Sequence, residues 1–184
     1  MSSETIARAA SMPRSFSHSS ESCKISARFG TTGAVTQVRI DLMGPLSRIP
    51  STSNSKTVRM TRYGRPFIAK NDDHLTRLAA MSKAYTDVLI EHSIYPGFLT
   101  FGREKTLVIV QLSKLCDACD SHNMSKPICD WLQTLLILEN DKFADCLCLR
   151  SEETLCDPGV TRIDIVRAAA VRTPLLNFLK AIAP

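Results

Sequence analysis

Apolar and polar residues alternate over 38–42, where Val38, Ile40 and Leu42 bracket Arg39 and Asp41. A period of two places the aliphatic side chains on one face of an extended segment and predicts a half-buried strand. A second alternation, Val58 and Met60 against Arg59 and Thr61, predicts another strand with arginine on its outer face. Pro45 and the polar run Ile49 to Lys56 separate the two, so they are expected to pair as a long-looped hairpin. From Asp72 the period changes. Leu75, Leu78, Ala79, Ser82, Tyr85, Val88, Leu89 and His92 recur at steps of three and four, which predicts an amphipathic helix over 72–92. Asn71 is placed to cap it, Asp72 and Asp73 suit its positive N-terminal end, and Tyr95-Pro96-Gly97 ends it in a turn.

The second half repeats these signals. Leu107-Val108-Ile109-Val110 reads as a central strand. Ser125 as cap and Pro127 in the first turn predict a helix with Ile128, Trp131, Leu132, Leu135 and Leu136 as its buried stripe. Cys146 to Leu149 and Ile163-Asp164-Ile165 read as strands, and Thr173-Pro174 opens a last helix carrying Leu175, Leu176, Phe178 and Leu179. Strands and helices intermingle without strict alternation. The expected fold class is therefore α+β: one compact domain with a small mixed or antiparallel sheet packed by two or three helices. Its expected extent is 35–184. Residues 1–34 are rich in serine and poor in large apolar side chains, too poor to offset their chain entropy, and are expected to form a disordered basic arm.

Charge sharpens the picture. Over residues 1–70 there are eleven Lys or Arg against three acids, a net +8, and over 71–184 twelve bases against fifteen acids, a net −3. A cationic front on a mildly acidic body points to a polyanionic partner for the front, and to attraction between one molecule's front and another's body. The plainer alternative is a solvated tail that maintains solubility. Apolar residues make up 44% of the 184, enough for a core, but there is no run of eighteen apolar residues. Met1-Ser2-Ser3-Glu4 lacks an apolar signal stretch, and Ser2 stands where N-myristoylation requires glycine, so any membrane contact is expected to be peripheral. Seven cysteines without such a signal suggest a reduced, cytosolic environment.

Candidate chemistry is sparse. Cys116-x-x-Cys119-x-x-His122, with Cys129 seven residues on, has ligand types that suit structural zinc, but it holds a single C-x-x-C pair. The competing reading is a set of small buried apolar thiols, and no cofactor is expected. His74 and His92 sit at opposite ends of one helix, too far apart to share a metal, and are expected to be surface or helix-end residues. Nucleophile-elbow, P-loop, dinucleotide-binding, zinc-protease and EF-hand patterns are missing, so the chain is not expected to be an enzyme. The basic elements carry more. Arg59, Arg62 and Arg65 fall within seven residues, flanked by Lys56 and Lys70 and interleaved with Tyr63 and Phe67. Aromatics among bases suit stacking on nucleobases or insertion at a lipid interface, while the plainer reading has Phe67 packed inward.

The stretch Val58 to Phe67, VRMTRYGRPF, resembles a segment of rhabdovirus matrix proteins, especially those of small plant-infecting members like the cytorhabdoviruses. In that family a basic-Met-Thr strand leads through an Arg-Pro-Phe corner into an amphipathic helix. Here Arg59-Met60-Thr61, Arg65-Pro66-Phe67 and the helix from Asp72 follow in that order, and Tyr95 to Gly102 is similar to the family's aromatic exit from the helix. The likeness covers residues 58–102. Pro-Pro-x-Tyr and Pro-Thr/Ser-Ala-Pro budding motifs are missing.

The resemblance implies a viral matrix protein, a structural adaptor that condenses the ribonucleoprotein and links it to the inner face of the envelope. The partners it implies are the nucleocapsid, an anionic membrane surface, further copies of the chain and an envelope glycoprotein tail. It implies a place beneath the virion envelope and, in the host, in the cytoplasm and on internal membranes, with the nucleus open as a further site. Arg14, Lys24, Arg28, Arg59, Arg62 and Arg65 are the expected polyanion contacts. Phe98, Leu99 and Phe101 are the expected apolar loop for membrane or self-association. The alternative is a cysteine-containing RNA-binding accessory protein, such as a silencing suppressor, that holds zinc through Cys116, Cys119, His122 and Cys129.

Overall fold

The structure, a computed structural model, describes residues 15–50, 56–70, 72–112, 124–149 and 159–171. Strands β1 (Ser15–Ser19), β2 (Cys23–Phe29) and β3 (Val35–Met43) come first, followed by β4 (Lys56–Met60) and β5 (Pro66–Lys70). Helix α1 (Asp72–Glu91), β6 (Thr106–Gln111), helix α2 (Ser125–Thr134), β7 (Ala144–Leu149) and β8 (Val160–Arg167) complete the α+β fold. Six strands form one sheet in the order β1-β2-β3-β8-β6-β7, while β4 and β5 pair only with each other. Neighbours are antiparallel except β6 and β7, whose parallel pairing requires the crossover that contains α2.

One face of the sheet is the core face. Cys23, Ile25 and Ala27 of β2, Val38, Ile40 and Leu42 of β3, Val108 and Val110 of β6, and Ile163 and Ile165 of β8 are all buried there. Met81, Tyr85, Val88 and Leu89 of α1 and Ile128, Trp131 and Leu132 of α2 belong to the same cluster. The helices are tied to each other. Trp131 Nε1–H donates to Ser82 Oγ at 3.0 Å, and its ring meets Tyr85 edge-on with centroids 6.4 Å apart.

Several expectations are corrected. Residues 15–29, assigned by composition to the arm, are two strands of the main sheet. Cys23, Ile25 and Ala27 alternate with Lys24, Ser26 and Arg28, so small apolar residues bury one face of β2 while its polar face stays in water. The domain therefore begins well before residue 35. The expected hairpin between the 38–42 and 58–60 strands does not form. β3 pairs with β2 and β8, and β4 folds back on β5 through a short turn at Gly64, whose φ of 75° is the left-handed conformation glycine adopts without strain. Arg65-Pro66-Phe67 thus leads into a strand rather than directly into the helix. His74 is 2% exposed, inside α1's packed face. Leu136 lies past the end of α2 at φ 61° and points outward. Ser125 is the first residue of α2, with Met124 in the cap position. Asn71 and the helix expected from Thr173 lie outside the described residues.

Strand β1, the first strand of the sheet order, meets the residue that follows α1 through stacked imidazoles. The His18 and His92 rings lie 3.8 Å apart at 19°, beside Phe16 and Phe29. Desolvation, then the neighbouring His92, lower the His18 pKa below its ordinary 6.5, against a smaller opposing pull from the Glu91 carboxylate. A depressed folded-state pKa means that the unfolded chain binds more protons just below 6.5, so this contact stabilises at neutral pH and is lost on acidification. Amide exchange of β1, corrected for intrinsic rates, is expected to accelerate as pH falls through 6.5. His92→Phe, which keeps a stacking ring and the burial but removes the second imidazole, is expected to reduce that dependence in part. Equal acid sensitivity in wild type and variant would show that the pair does not control the strand.

Candidate polyanion-binding surfaces

The β4–β5 hairpin carries the first candidate surface. Register places Val58 opposite Ile68, Met60 opposite Pro66 and Arg59 opposite Phe67. Directly opposed residues share a face, so Val58, Met60, Pro66 and Ile68 lie on one face and Arg59 and Phe67 on the other. The turn is closed by Thr61 N–H to Arg65 O and Gly64 N–H to Thr61 O, both 2.9 Å, and by Arg65 N–H to Thr61 Oγ1 at 3.0 Å. None of the side chains from Thr57 to Ala69 is buried. Val58 is 69% exposed, Ile68 71% and Tyr63 73%, and Met60 and Phe67 are also exposed, so Phe67 does not pack inward.

The three predicted arginines sit on this ribbon in different states. Arg59 pairs with Asp72, the first residue of α1, in a contact where Asp72 is almost fully in water. Such a surface pair is worth at most about 1 kcal/mol, so it anchors the hairpin weakly and can exchange for another anion. The Arg62 guanidinium lies 4.6 Å from the Tyr63 ring centroid, a cation–π contact in solvent. Arg65 has no ion pair among the described residues.

The open face of the main sheet is the second surface. Lys24 and Arg28, both predicted, project from β2 into a groove of about 600 Å³ together with Arg39, Arg162, Asp41 and the hydroxyls of Ser15, Ser17 and Ser26. Arg39 grips Asp164 through Nε at 2.7 Å and a second nitrogen at 3.3 Å, with Gln37 adding a 3.3 Å bond to the same carboxylate. Arg162 grips Asp41 with the same two distances. Both carboxylates are buried and each is neutralised by one arginine, so Lys24 and Arg28 are left as the groove's excess charge.

Sequence reasoning missed Arg39 and Arg162. The signal was present: Arg39-Ile40-Asp41 and Arg162-Ile163-Asp164 are the same tripeptide, and antiparallel pairing sets each arginine against the other's aspartate.

The expected apolar loop is only partly exposed. Leu99 is fully buried and Phe101 is 3% exposed, because the 3₁₀ turn Pro96–Leu99 rolls Leu99 into the core and Phe101 N–H bonds Ile137 O at 2.9 Å. Only Phe98 points outward, edge-on to Tyr95. Arg14, Cys116, Cys119 and His122 lie outside the described residues. Cys129 is buried in α2. Among the described residues no helix is long and apolar enough to cross a membrane. No protein-family model matches the chain, and no curated protein matches it.

Removing one partner of a buried ion pair strands the other, at a cost of about 3 kcal/mol. Arg162→Ala is expected to lower unfolding free energy by about that much, whereas Lys24→Ala, on the exposed side, should change it by less than about 0.5 kcal/mol. The exchange Arg162→Asp with Asp41→Arg is expected to recover most of the loss. Denaturant titration of the four proteins checks this, and equal losses in Arg162→Ala and Lys24→Ala would refute the clamp.

Proposed function

We propose that the chain is a matrix-type structural adaptor of an enveloped virus, which holds the viral ribonucleoprotein to the inner face of the membrane by peripheral, largely electrostatic contacts. The observation that carries this reading is the hairpin. It combines Arg59, Arg62 and Arg65 with Val58, Met60, Tyr63, Phe67 and Ile68 on a ribbon that has no core of its own. Cations beside apolar side chains suit an anionic headgroup layer lying over hydrocarbon. The groove with Lys24 and Arg28 supplies a separate cationic surface, free to meet phosphate on the ribonucleoprotein. Each base near an anionic bilayer contributes about 1 kcal/mol, so one copy binds weakly, and self-association multiplies the hold. The resemblance over residues 58–102 supports the same reading, and the enzyme motifs that would favour another are missing.

Flotation with phosphatidylserine vesicles tests it. The intact protein is expected to float at low salt and to release as salt rises. Replacing Arg59, Arg62 and Arg65 by Gln is expected to weaken vesicle binding by roughly a hundredfold. Replacing Val58, Met60 and Ile68 by Ser should weaken vesicle binding while leaving RNA binding intact. Wild-type protein that ignores these vesicles yet binds RNA through the hairpin would favour the RNA-binding accessory reading instead.

A further inference from the structure

Three of the four cysteines among the described residues meet in one place. Cys146 and Cys148 are two residues apart on β7, so both thiols project from its core face toward α2, where Cys129 is buried. The Cys129 and Cys146 thiols hydrogen-bond each other, Cys146 also bonds Cys148, and Cys148 bonds Ser125 at the start of α2. Lys126 stands beside the cluster, bridging Asp130 at 2.7 Å and Asp141 at 2.6 Å. Cys23 is the contrast. It is fully buried, and burial with the nearby Asp41 carboxylate pushes its pKa up to about 12.

We propose that Cys129 and Cys146 are a thiol pair poised for two-electron oxidation by a peroxide, forming a disulfide that staples α2 to β7. The hydrogen bonds assign the roles. Cys146 holds its proton and donates, which raises its own pKa and lowers those of Cys129 and Cys148. Cys148 shares that lowering, and of the two only Cys129 stands on α2, so Cys129 is the nucleophile of a cross-link between α2 and β7. Its thiolate attacks one peroxide oxygen, the O–O bond breaks, and the departing hydroxide takes a proton to leave as water. The resulting sulfenic acid is displaced by the Cys146 sulfur, which loses its proton as the S–S bond forms, and a second water leaves. Two thiols give up two electrons and two protons, and one peroxide becomes two waters. Trp131 already ties α2 to Ser82 of α1, so the cross-link would join sheet, α2 and α1 into one braced layer.

Peptide mapping of the full chain after hydrogen peroxide treatment and alkylation of the remaining thiols tests this. The expected product is a Cys129–Cys146 linked peptide two hydrogens lighter than the reduced pair. Cys23 should stay alkylatable only after unfolding, and the melting temperature should rise on oxidation and return with dithiothreitol. Cys146→Ala is expected to abolish the linkage and carry Cys129 on to sulfinic acid. Two results would overturn the proposal. One is linkage of Cys129 to a cysteine other than Cys146. The other is full recovery of both as free thiols under peroxide that oxidises glutathione in the same tube.

Discussion

Two copies of the tripeptide Arg-Ile-Asp, one in β3 and one in β8, lie antiparallel and hold the sheet in register. Ile40 and Ile163 face each other in the core, while Arg39 meets Asp164 and Asp41 meets Arg162 on the other side. A one-residue slip would turn the isoleucines to water and the charges into the core. A two-residue slip in either direction would set Arg39 against Arg162 or Asp41 against Asp164, like charges directly opposed. Only one register satisfies both faces. It also makes the contact of longest sequence range in the sheet, joining the first three strands to the last and fixing the frame on which both helices pack.

That clamp leaves the charge split as it stands. It is symmetric: Arg39 and Asp41 of the front pair with Asp164 and Arg162 of the body, so each part gives up one base and one acid. Neutralising the two buried aspartates uses Arg39 and Arg162 and leaves them structural. Among the described residues, the bases that face outward on the two candidate surfaces are Lys24 and Arg28 on the sheet and the arginines of the hairpin, of which Arg59 is weakly held by Asp72. Each group sits on a surface with different company, serine hydroxyls in one case and aliphatic side chains in the other.

The parts legible in the sequence were those with strong periodicity. The α1 helix ends within one residue of expectation, and β3, β6, β7 and β8 fall where alternation or apolar runs put them. Strand β2 was hidden because its buried residues are small or isolated: Cys23, Ile25 and Ala27 among serines carry the period of two without the apolar mass that usually announces it. Strand β5 was hidden by Pro66 at its start, a position where an unpaired N–H is tolerated. Pairing partners were harder still, since a strand's alternation does not name its neighbour. Only the repeated Arg-Ile-Asp did so here. On the candidate surfaces, arginines in the hairpin were legible as a cluster. The burial of Leu99 and Phe101 was not, because a 3₁₀ turn decides which way an aromatic-rich segment rolls.

The hairpin poses a physical problem that bears on what it meets. A two-stranded ribbon alone in water is marginal, and this one gains little from its turn and from a solvated Arg59–Asp72 pair. Val58, Met60 and Ile68 nevertheless occupy one face, mutually adjacent and wet. Nucleic acid would stabilise the arginines and aromatics but would gain nothing from these aliphatic side chains, which neither stack nor read a base edge. On the proposed reading a bilayer interface would serve both faces' chemistry, since headgroups would take the guanidinium groups while the aliphatic row would leave water for the acyl boundary. Removing three such side chains from water is worth several kcal/mol. That is comparable to the electrostatic contribution of the three arginines and enough to order a ribbon that is otherwise only weakly held.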